Sequence, residues 1–319
     1  MRANARRWRE HAGVPVWAVV KADGYGWGAA RVARAVLGEV AGYFVADADE
    51  ARELRRELGA AAPIALLAAG GPGETVTLLA EGFIPNVASL DSLAAAGAWA
   101  RERGSPARIR VGIVPAAGWS GLLAPAVEPF AQAAAGEPVE VQLWTHLTAP
   151  EMWERQRASF ASAQETLVRA GVRISGTDVA GTLVSAREGR SGHSLVRIGI
   201  GLFGARFGGP RLQCAIRIDA PVTDVLPAGA VASAGYRGAE PIDAPWLAVV
   251  RCGYSDGLPL RLAGTNKIVS IGMQYTVVAR SAPESAGYAL RLLDTTSDVD
   301  EVLENTGISP HEFVVGLGR

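Results

Sequence analysis

Two positively charged side chains interrupt apolar stretches of this chain. Lys21 follows five mostly apolar residues in VWAVVKADGYGWG (residues 16–28), and Arg197 lies in the glycine-rich run VRIGIG (196–201). Desolvation at such a place disfavours the charged form of a lysine, which keeps part of the amine neutral and able to attack an aldehyde. A buried arginine has to be paired or to face a ligand. The glycines around Tyr25 predict the opening of a helix whose amino-terminal amides could face a phosphate.

Each of these side chains also has a purely structural interpretation. Lys21 could extend its ammonium to solvent and only cover the top of a barrel, and Arg197 could pair with an acid that holds the fold together. Tyr236 in ASAGYRG and Tyr254 in RCGYSDGLP stand beside glycines, which is also typical of turns. His146 ends a predicted strand and could equally be a histidine with satisfied hydrogen bonds. Position alone leaves these alternatives open.

The elements that would position these residues follow a regular alternation up to about residue 205. Short apolar runs alternate with longer segments of helical periodicity, and Asp47 or Asp49 can cap one of the predicted helices. The predicted strands span residues 14–22, 43–47, 63–69, 84–88, 107–114, 139–147, 173–180 and 195–204. Eight strand–helix units are typical of a TIM barrel, whose catalytic groups lie at the carboxyl ends of the strands, where Lys21 stands.

The pattern changes from about residue 212 onward. Strand-like runs such as WLAVVRCGY and YTVVAR follow one another, separated by Gly, Pro and Asp turns. The sequence therefore predicts an α/β fold, with a (β/α)8 barrel over residues 1–211 and a smaller, mainly β domain over 212–319.

Composition excludes several classes of partner. The 319 residues carry a net charge of -1 with acids and bases interspersed, so neither nucleic acid nor a membrane surface is an expected partner. The apolar runs are shorter than the ~20 residues of a membrane span, and the basic amino terminus lacks the apolar region of a signal peptide. We therefore expect a cytoplasmic protein. Cys214 and Cys252 fit no metal-binding spacing, so no metal is expected.

Several motifs together resemble those of the alanine racemases, which are pyridoxal 5'-phosphate (PLP) enzymes with a barrel and a β domain. AVVKADGYGWG (18–28) is similar to the family's AVVKANAYGHG, and VRIGIGLFG (196–204) to VRPGIALYG. CGYSDGLPL (252–260) is similar to VGYADGYPR, and THLTAPEM (145–152) to THFATADE. Tyr236 falls on the tyrosine of the family's VSYG motif. Since these matches keep their order along nearly the whole chain, the sequence is identified as a divergent member of this family.

The resemblance implies a two-base racemase that interconverts L- and D-alanine. Lys21 would bind PLP covalently and act as the base on one face of the substrate Cα. Tyr236, contributed by a second subunit, would act on the other face, which implies a homodimer. Two bases on opposite faces are the minimum for inverting a stereocentre through a planar carbanion.

The resemblance also implies which residues hold the cofactor and substrate. Arg197 would meet the pyridine nitrogen and keep it unprotonated, which weakens the cofactor as an electron sink. Tyr254 and Met273 would line the substrate entrance and the carboxylate site. The phosphate would be held by Tyr25, Thr182, Gly199 and Ile200.

The chain departs from the family where the substrate carboxylate should bind. In GIVPAAGWSG (112–121), Trp119 stands in the place of an arginine and Gly112 in the place of a lysine. Losing a charge-assisted hydrogen bond costs about 1.5–3 kcal/mol, or on the order of a hundredfold in affinity. Gln274 replaces an acid beside Met273, and neither the family's carboxyl-terminal phosphate-binding tyrosine nor its amino-terminal strand is found. A racemase for another amino acid, a decarboxylase, or a non-catalytic PLP-binding protein therefore remain alternatives.

Overall fold

The computed structural model describes residues 1–114, 116, 118–190, 192–234, 242–265, 267–283, 286–293, 297 and 299–318. Eight parallel strands form one sheet, in the order β7-β6-β5-β4-β3-β2-β1-β8. The strands are β1 (Val16–Val19), β2 (Gly42–Val45), β3 (Ile64–Ala69), β4 (Ile84–Asn86), β5 (Ala107–Gly112), β6 (Val139–Trp144), β7 (Ile174–Asp178) and β8 (Val196–Ile198). The predicted barrel is confirmed.

The ends of this sheet meet and close it into a barrel. Val16 of β1 pairs with Val196 of β8, and the backbone N–H of Ser194, just before β8, donates to the carbonyl of Thr177 in β7 at 2.9 Å. The eighth strand is shorter than predicted: β8 gives way at Gly199 to a 3-10 turn, Ile200–Phe203. Gly199, Gly201 and Gly204 favour a turn over an extended strand here.

Helices lie between the strands, as the periodicity predicted. They are α1 (Arg2–Ala12), α2 (Lys21–Tyr25), α3 (Ala29–Val36), α4 (Ala48–Leu58), α5 (Pro72–Ala80), α6 (Leu90–Arg103), α7 (Ala124–Ala134), α8 (Trp153–Arg169) and α9 (Thr182–Glu188). Asp47 caps α4 as predicted, because its carboxylate accepts from the backbone N–H groups of Asp49 and Glu50 at 3.1 Å each. Within the described residues, no helix has both the length and the apolar character that crossing a membrane requires.

The barrel interior is apolar at one end and polar at the other. Trp17 and Phe44 stack with their ring centroids 5.0 Å apart, within a buried cluster that also contains Ile84 and Leu195. Further along the axis, toward the carboxyl ends of the strands, the buried side chains include Arg110 and Arg197. Because charge is costly in such a place, this end of the barrel is where a ligand is expected.

The second sheet is antiparallel and five-stranded, in the order β11-β12-β10-β9-β13. Its strands are β9 (Ile218–Pro227), β10 (Trp246–Val250), β11 (Ile268–Ile271), β12 (Thr276–Arg280) and β13 (Ala289–Leu293). The predicted β region is therefore confirmed, while the domain limits 1–211 and 212–319 stay a prediction. Two helices that the sequence reasoning did not identify follow these strands, α10 (Val299–Val302) and α11 (Pro310–Leu317).

One buried side chain of α1 connects the barrel to the segment that leads into the β region. The Asn4 amide nitrogen donates to the carbonyls of Leu202 and Gln213 at 3.1 and 2.7 Å. Its amide oxygen accepts from the backbone N–H of Gln213 at 3.0 Å. Asn4 is 1% exposed and its bond to the Leu202 carbonyl is buried, while its two bonds to Gln213 are part-buried.

Asn4→Ala should therefore lower the free energy of unfolding by roughly 1–3 kcal/mol, because it leaves the buried Leu202 carbonyl unpaired and removes two part-buried hydrogen bonds to Gln213. Urea denaturation of the full-length protein measures this loss. Glu10→Ala, on the exposed face of the same helix, is the control and should change stability by less than about 0.5 kcal/mol. A loss of similar size in both variants would contradict this role for Asn4.

Candidate functional site

Lys21 begins the short element α2, whose backbone at residues 22–24 is left-handed, so that α2 is a turn after β1 and not a regular helix. Ala22 and Asp23 have φ values of 53° and 49°, a conformation that non-glycine residues adopt only when the surroundings enforce it. Glu50 on α4 provides that constraint, since its two carboxylate oxygens accept from the N–H groups of Ala22 and Ala46 at 2.6 and 2.7 Å. The half-buried Lys21 is thereby held at the mouth of the barrel.

The glycine-rich stretch opens a helix as predicted, since Gly28 directly precedes α3, while its role toward a phosphate stays a prediction. The regular helix α3 begins only at Ala29, and the backbone N–H of Ala29 donates to the Asp23 carboxylate at 2.7 Å. An acidic side chain already occupies the position that an anion would take at this helix terminus. The N–H of Ala29 is therefore not available to a phosphate.

A cavity of about 520 Å³ opens at the carboxyl ends of the barrel strands. The structure brings together in its lining seven of the residues predicted from the sequence: Lys21, Tyr25, Trp119, Thr182, Arg197, Gly199 and Ile200. These residues come from segments far apart in the chain, and the barrel places them around one space. Among the described residues that line the cavity, none is acidic. The lining therefore favours an anionic ligand.

Both interpretations of Arg197 from the sequence hold, because it is paired with an acid and also faces a space for a ligand. Its guanidinium forms an ion pair with the buried carboxylate of Asp178, and its Nη2 donates to the carbonyl of Thr145 at 2.7 Å. The side chain is only 3% exposed, yet it also lines the cavity. Arg197 is therefore a paired arginine whose remaining surface faces the ligand space.

His146 is neutral and lies between Arg197 and Trp119. Its Nδ1 is 3.4 Å from Nη2 of Arg197, and since a guanidinium can only donate, Nδ1 must be the unprotonated acceptor. Burial lowers the pKa of His146 to about 3, with further contributions from Arg197, Lys21 and His311. The ring of Trp119 stacks on the imidazole at a centroid distance of 4.2 Å and an angle of 18°. An aromatic stack thus forms one wall of the cavity.

Tyr25 and Gly199 form a close contact on another wall. A Cβ atom at position 199 would overlap the Tyr25 hydroxyl, so only glycine permits this approach. Burial raises the pKa of the Tyr25 phenol, which keeps it protonated and able to donate a hydrogen bond. Thr182 begins α9, Ile200 begins the 3-10 turn, and both residues line the cavity.

His311 is a cavity residue that the sequence reasoning missed. It lies on α11, which reaches the barrel because Nε1 of Trp27 donates to the carbonyl of Val314 at 2.8 Å. Desolvation lowers the pKa of His311, and the nearby Lys21 ammonium lowers it further. The Ser-Pro pair at 309–310 signals a helix start, but no local signal indicates that this helix reaches the cavity.

Two predicted residues are absent from the described lining of the cavity, and a third cannot be assigned to it. Tyr236 lies outside the described residues. Tyr254 and Met273 are 40% and 54% exposed and lie close together, since the N–H of Tyr254 donates to Gly272 and that of Ser255 to Met273. Their predicted roles toward the substrate stay predictions.

Comparison with known proteins decides the family. A family model described as the alanine racemase N-terminal domain matches residues 1–207. The chain belongs to the alanine racemase family. It is 35% identical to the alanine racemase of Beutenbergia cavernae over 310 residues, covering 86% of this chain and 78% of that protein. It is 30% identical to the alanine racemase of Methylobacterium sp. (strain 4-46) over 348 residues, covering 100% and 94%.

Solved alanine racemases share the fold. That of Streptomyces coelicolor A3(2) superposes with a TM-score of 0.79 at 24% identity, covering 98% of this chain and 92% of that chain. The Bartonella henselae alanine racemase, solved with covalently bound pyridoxal phosphate, gives a TM-score of 0.76 at 22% identity, covering 99% and 94%. The predicted membership of the alanine racemase family, and with it the class of racemase-type isomerases, is confirmed.

The position of His146 predicts an acid-sensitive step in stability. Because its pKa is lowered from 6.5 to about 3 in the folded protein, the unfolded chain binds a proton at residue 146 between these values and the folded chain does not. The free energy of unfolding should therefore fall as pH drops below 6.5, by at most about 1.4 kcal/mol per pH unit from this residue.

We expect ¹⁵N NMR of labelled histidines to show His146 neutral down to about pH 3. His146→Gln assigns its signals and should flatten the acid dependence of the unfolding free energy. A His146 signal that titrates near the ordinary value of about 6.5 would contradict this environment.

Proposed function

We propose that this chain is a PLP-dependent racemase that interconverts L- and D-alanine through the two bases Lys21 and Tyr236. The observation that carries the proposal is the Lys21 amine at the edge of a cavity whose described lining holds no acid and includes Arg197. An amine that attacks an aldehyde and a lining that attracts an anion are the two properties that PLP requires of its site.

The residues present fit the cofactor. The Tyr25 phenol, Thr182 and the backbone N–H groups of Gly199 and Ile200 would hold the phosphate, together with His311 of α11. The tight contact between Gly199 and the Tyr25 hydroxyl supports this assignment, because a side chain at position 199 would displace the phenol. When bound, PLP supplies an aldehyde and an electron-withdrawing ring that stabilises negative charge on the substrate Cα.

Arg197 would face the nitrogen of the pyridine ring. A guanidinium has donors and no acceptor, so Arg197 would donate a hydrogen bond to that nitrogen and could not accept one from a protonated ring. Arg197 would therefore keep the ring nitrogen unprotonated, which limits how long charge on Cα persists. Such a limit favours return of a proton to Cα, which is racemisation, over side reactions.

The two proton carriers would come from two copies of the chain. Lys21 would remove or return the proton on one face of Cα, and Tyr236 of a second copy on the other. Exposed apolar side chains on the β region support an interface there, since Tyr254, Leu260, Met273 and Tyr275 are 40–54% exposed. We infer a homodimer in the cytoplasm. Each chain would consist of a barrel over 1–211 and a β domain over 212–319, and Tyr254 and Met273 would line the substrate entrance.

The stack of Trp119 on His146 favours a second candidate, a PLP-dependent racemase or decarboxylase for another amino acid. Both rings are uncharged, so this wall offers an apolar surface rather than a cation for a carboxylate. An apolar or aromatic substrate side chain would pack on such a wall better than the alanine methyl group. Rates measured across a panel of amino acids rank the two candidates, and a protein that binds PLP and acts on none of them is a non-catalytic binder.

Replacing Lys21 should abolish both cofactor attachment and turnover. Lys21→Ala is expected to lose the visible absorbance that PLP gains on attachment to a lysine, and to reduce racemisation on the order of a thousandfold or more. The chain offers a matched control in its one other lysine, so Lys267→Ala should keep both properties. Equal visible absorbance in Lys21→Ala and the parent protein would remove the basis of the proposal.

Tyr236→Phe should keep the visible absorbance but slow proton exchange at Cα from only one of the two alanine enantiomers. In deuterium oxide, exchange at Cα is expected to slow about a hundredfold from one alanine enantiomer and much less from the other, because the phenol serves a single face. Mass spectrometry of the recovered alanine measures both rates. Equal slowing from both enantiomers would count against a two-base assignment.

A further inference from the structure

A cluster of three charged side chains lies beneath the cavity, within the barrel interior. Arg110 and Asp178 are 0% exposed, and Arg197 is 3% exposed. The Asp178 carboxylate is shared, because its Oδ2 accepts from Nη2 of Arg110 at 2.9 Å while its Oδ1 is ion-paired with Nη1 of Arg197. Asp178 therefore fixes one edge of the Arg197 guanidinium, which lines the cavity.

Aromatic rings hold the two guanidinium groups from another side. Arg110 lies over Phe44 at 4.1 Å and over Trp144 at 4.9 Å, while Arg197 lies over the same Trp144 ring at 5.1 Å. Trp144 is itself oriented, since its Nε1 donates to the Asn86 side chain at 3.1 Å. Nε and Nη1 of Arg110 have no hydrogen-bond partner within the described part of the chain. Asp178 and these two rings are the contacts that keep Arg110 in place.

The charges of the cluster do not cancel. Two guanidinium groups and one carboxylate leave one net positive charge in a desolvated place, and Arg197 is the member that reaches the cavity. Without Asp178, two buried cations would face each other and Arg197 would lose the partner of its Nη1. Arg197 would then no longer be held against Thr145 and His146.

We propose that Asp178 and Arg110 are positioning residues, with Asp178 orienting the Arg197 guanidinium toward the cavity and Arg110 holding the far edge of Asp178. The cluster also sets the charge at the floor of the cavity. The meaning of that charge for PLP rests on the proposed function, but the orientation of Arg197 does not. Lys21, His146 and His311 are the other cationic or titratable groups that line this cavity, together with the buried phenol of Tyr25.

The orientation of Arg197 can be read directly in the full-length chain without cofactor. His146 accepts from Arg197 through Nδ1, so its ¹⁵N signals report whether the guanidinium is in place. Asp178→Asn, which keeps the size of the side chain and removes its charge, should shift the Nδ1 signal of His146 as this contact is lost. With four histidines in the chain, single variants assign the signals.

The matched control is Asp219→Asn on the β region. Asp219 also joins two arginines, with Nε of Arg217 at 2.7 Å and Nε of Arg291 at 2.9 Å, but it lies outside the barrel cluster. This variant should leave the His146 signals unchanged. An unchanged Nδ1 signal in folded Asp178→Asn would overturn the positioning role, even if its melting temperature had fallen.

A second measurement separates charge from folding in the protein loaded with PLP. Asp178→Asn adds one positive charge to the floor and Arg110→Met removes one, so the visible absorbance maximum should shift in opposite directions in the two variants. The double variant restores the original net charge and should return the maximum toward the parent value. Shifts in the same direction, or none, would contradict the charge-setting role. A loss of stability alone would not shift the maximum in a direction that follows the sign of the charge change.

The two measurements also separate this inference from the proposed function. If the parent protein shows no visible absorbance with PLP, the proposed function fails, while the His146 signals still decide whether Asp178 orients Arg197. If the parent protein attaches PLP but Asp178→Asn leaves the His146 signals and the absorbance maximum unchanged, only the inference fails. Should Asp178→Asn not fold, Arg110→Met provides the same NMR test, with a shift of the Nδ1 signal expected.

Discussion

The rest of the site depends on one constraint, which is that positive charge is held where water is largely excluded. The barrel brings Lys21 and Arg197 to one cavity and buries Arg110 beneath it. One carboxylate, two aromatic rings and the backbone carbonyl of Thr145 compensate part of this charge, and the described lining supplies no further acid. The remainder is available to an anionic ligand. Burial, and after it the neighbouring positive charges, lower the pKa values of His146 and His311 and so disfavour both as cations.

The barrel and the positions of Lys21 and Arg197 could be predicted because they follow from local patterns. Alternating apolar and helical segments identify eight strand–helix units, and an isolated cation after an apolar run marks the carboxyl end of a strand. The turn after Lys21 could not be predicted, because its left-handed backbone is stabilised by Glu50, which comes from a later helix. The contact of the Asp23 carboxylate with the N–H of Ala29 depends on this turn, so it could not be predicted either.

The residues that escaped prediction are those whose role depends on distant contacts. Asp178 stands at the end of β7 without any local sign that two arginines converge on it. His311 is more than a hundred residues from any other residue that lines the cavity, and α11 reaches the barrel only through contacts such as that of Trp27 with Val314. Trp119 was recognised by its place in a motif, but its stacking on His146 required the fold.

A crystal structure of the PLP-loaded protein tests the central claim most directly. We predict a covalent bond from the cofactor to Nζ of Lys21, the phosphate beside Tyr25, Thr182 and Ile200, and the ring nitrogen facing Arg197. A cofactor bound outside this cavity, or a reversed ring with its phosphate against the Trp119–His146 stack, would contradict the account.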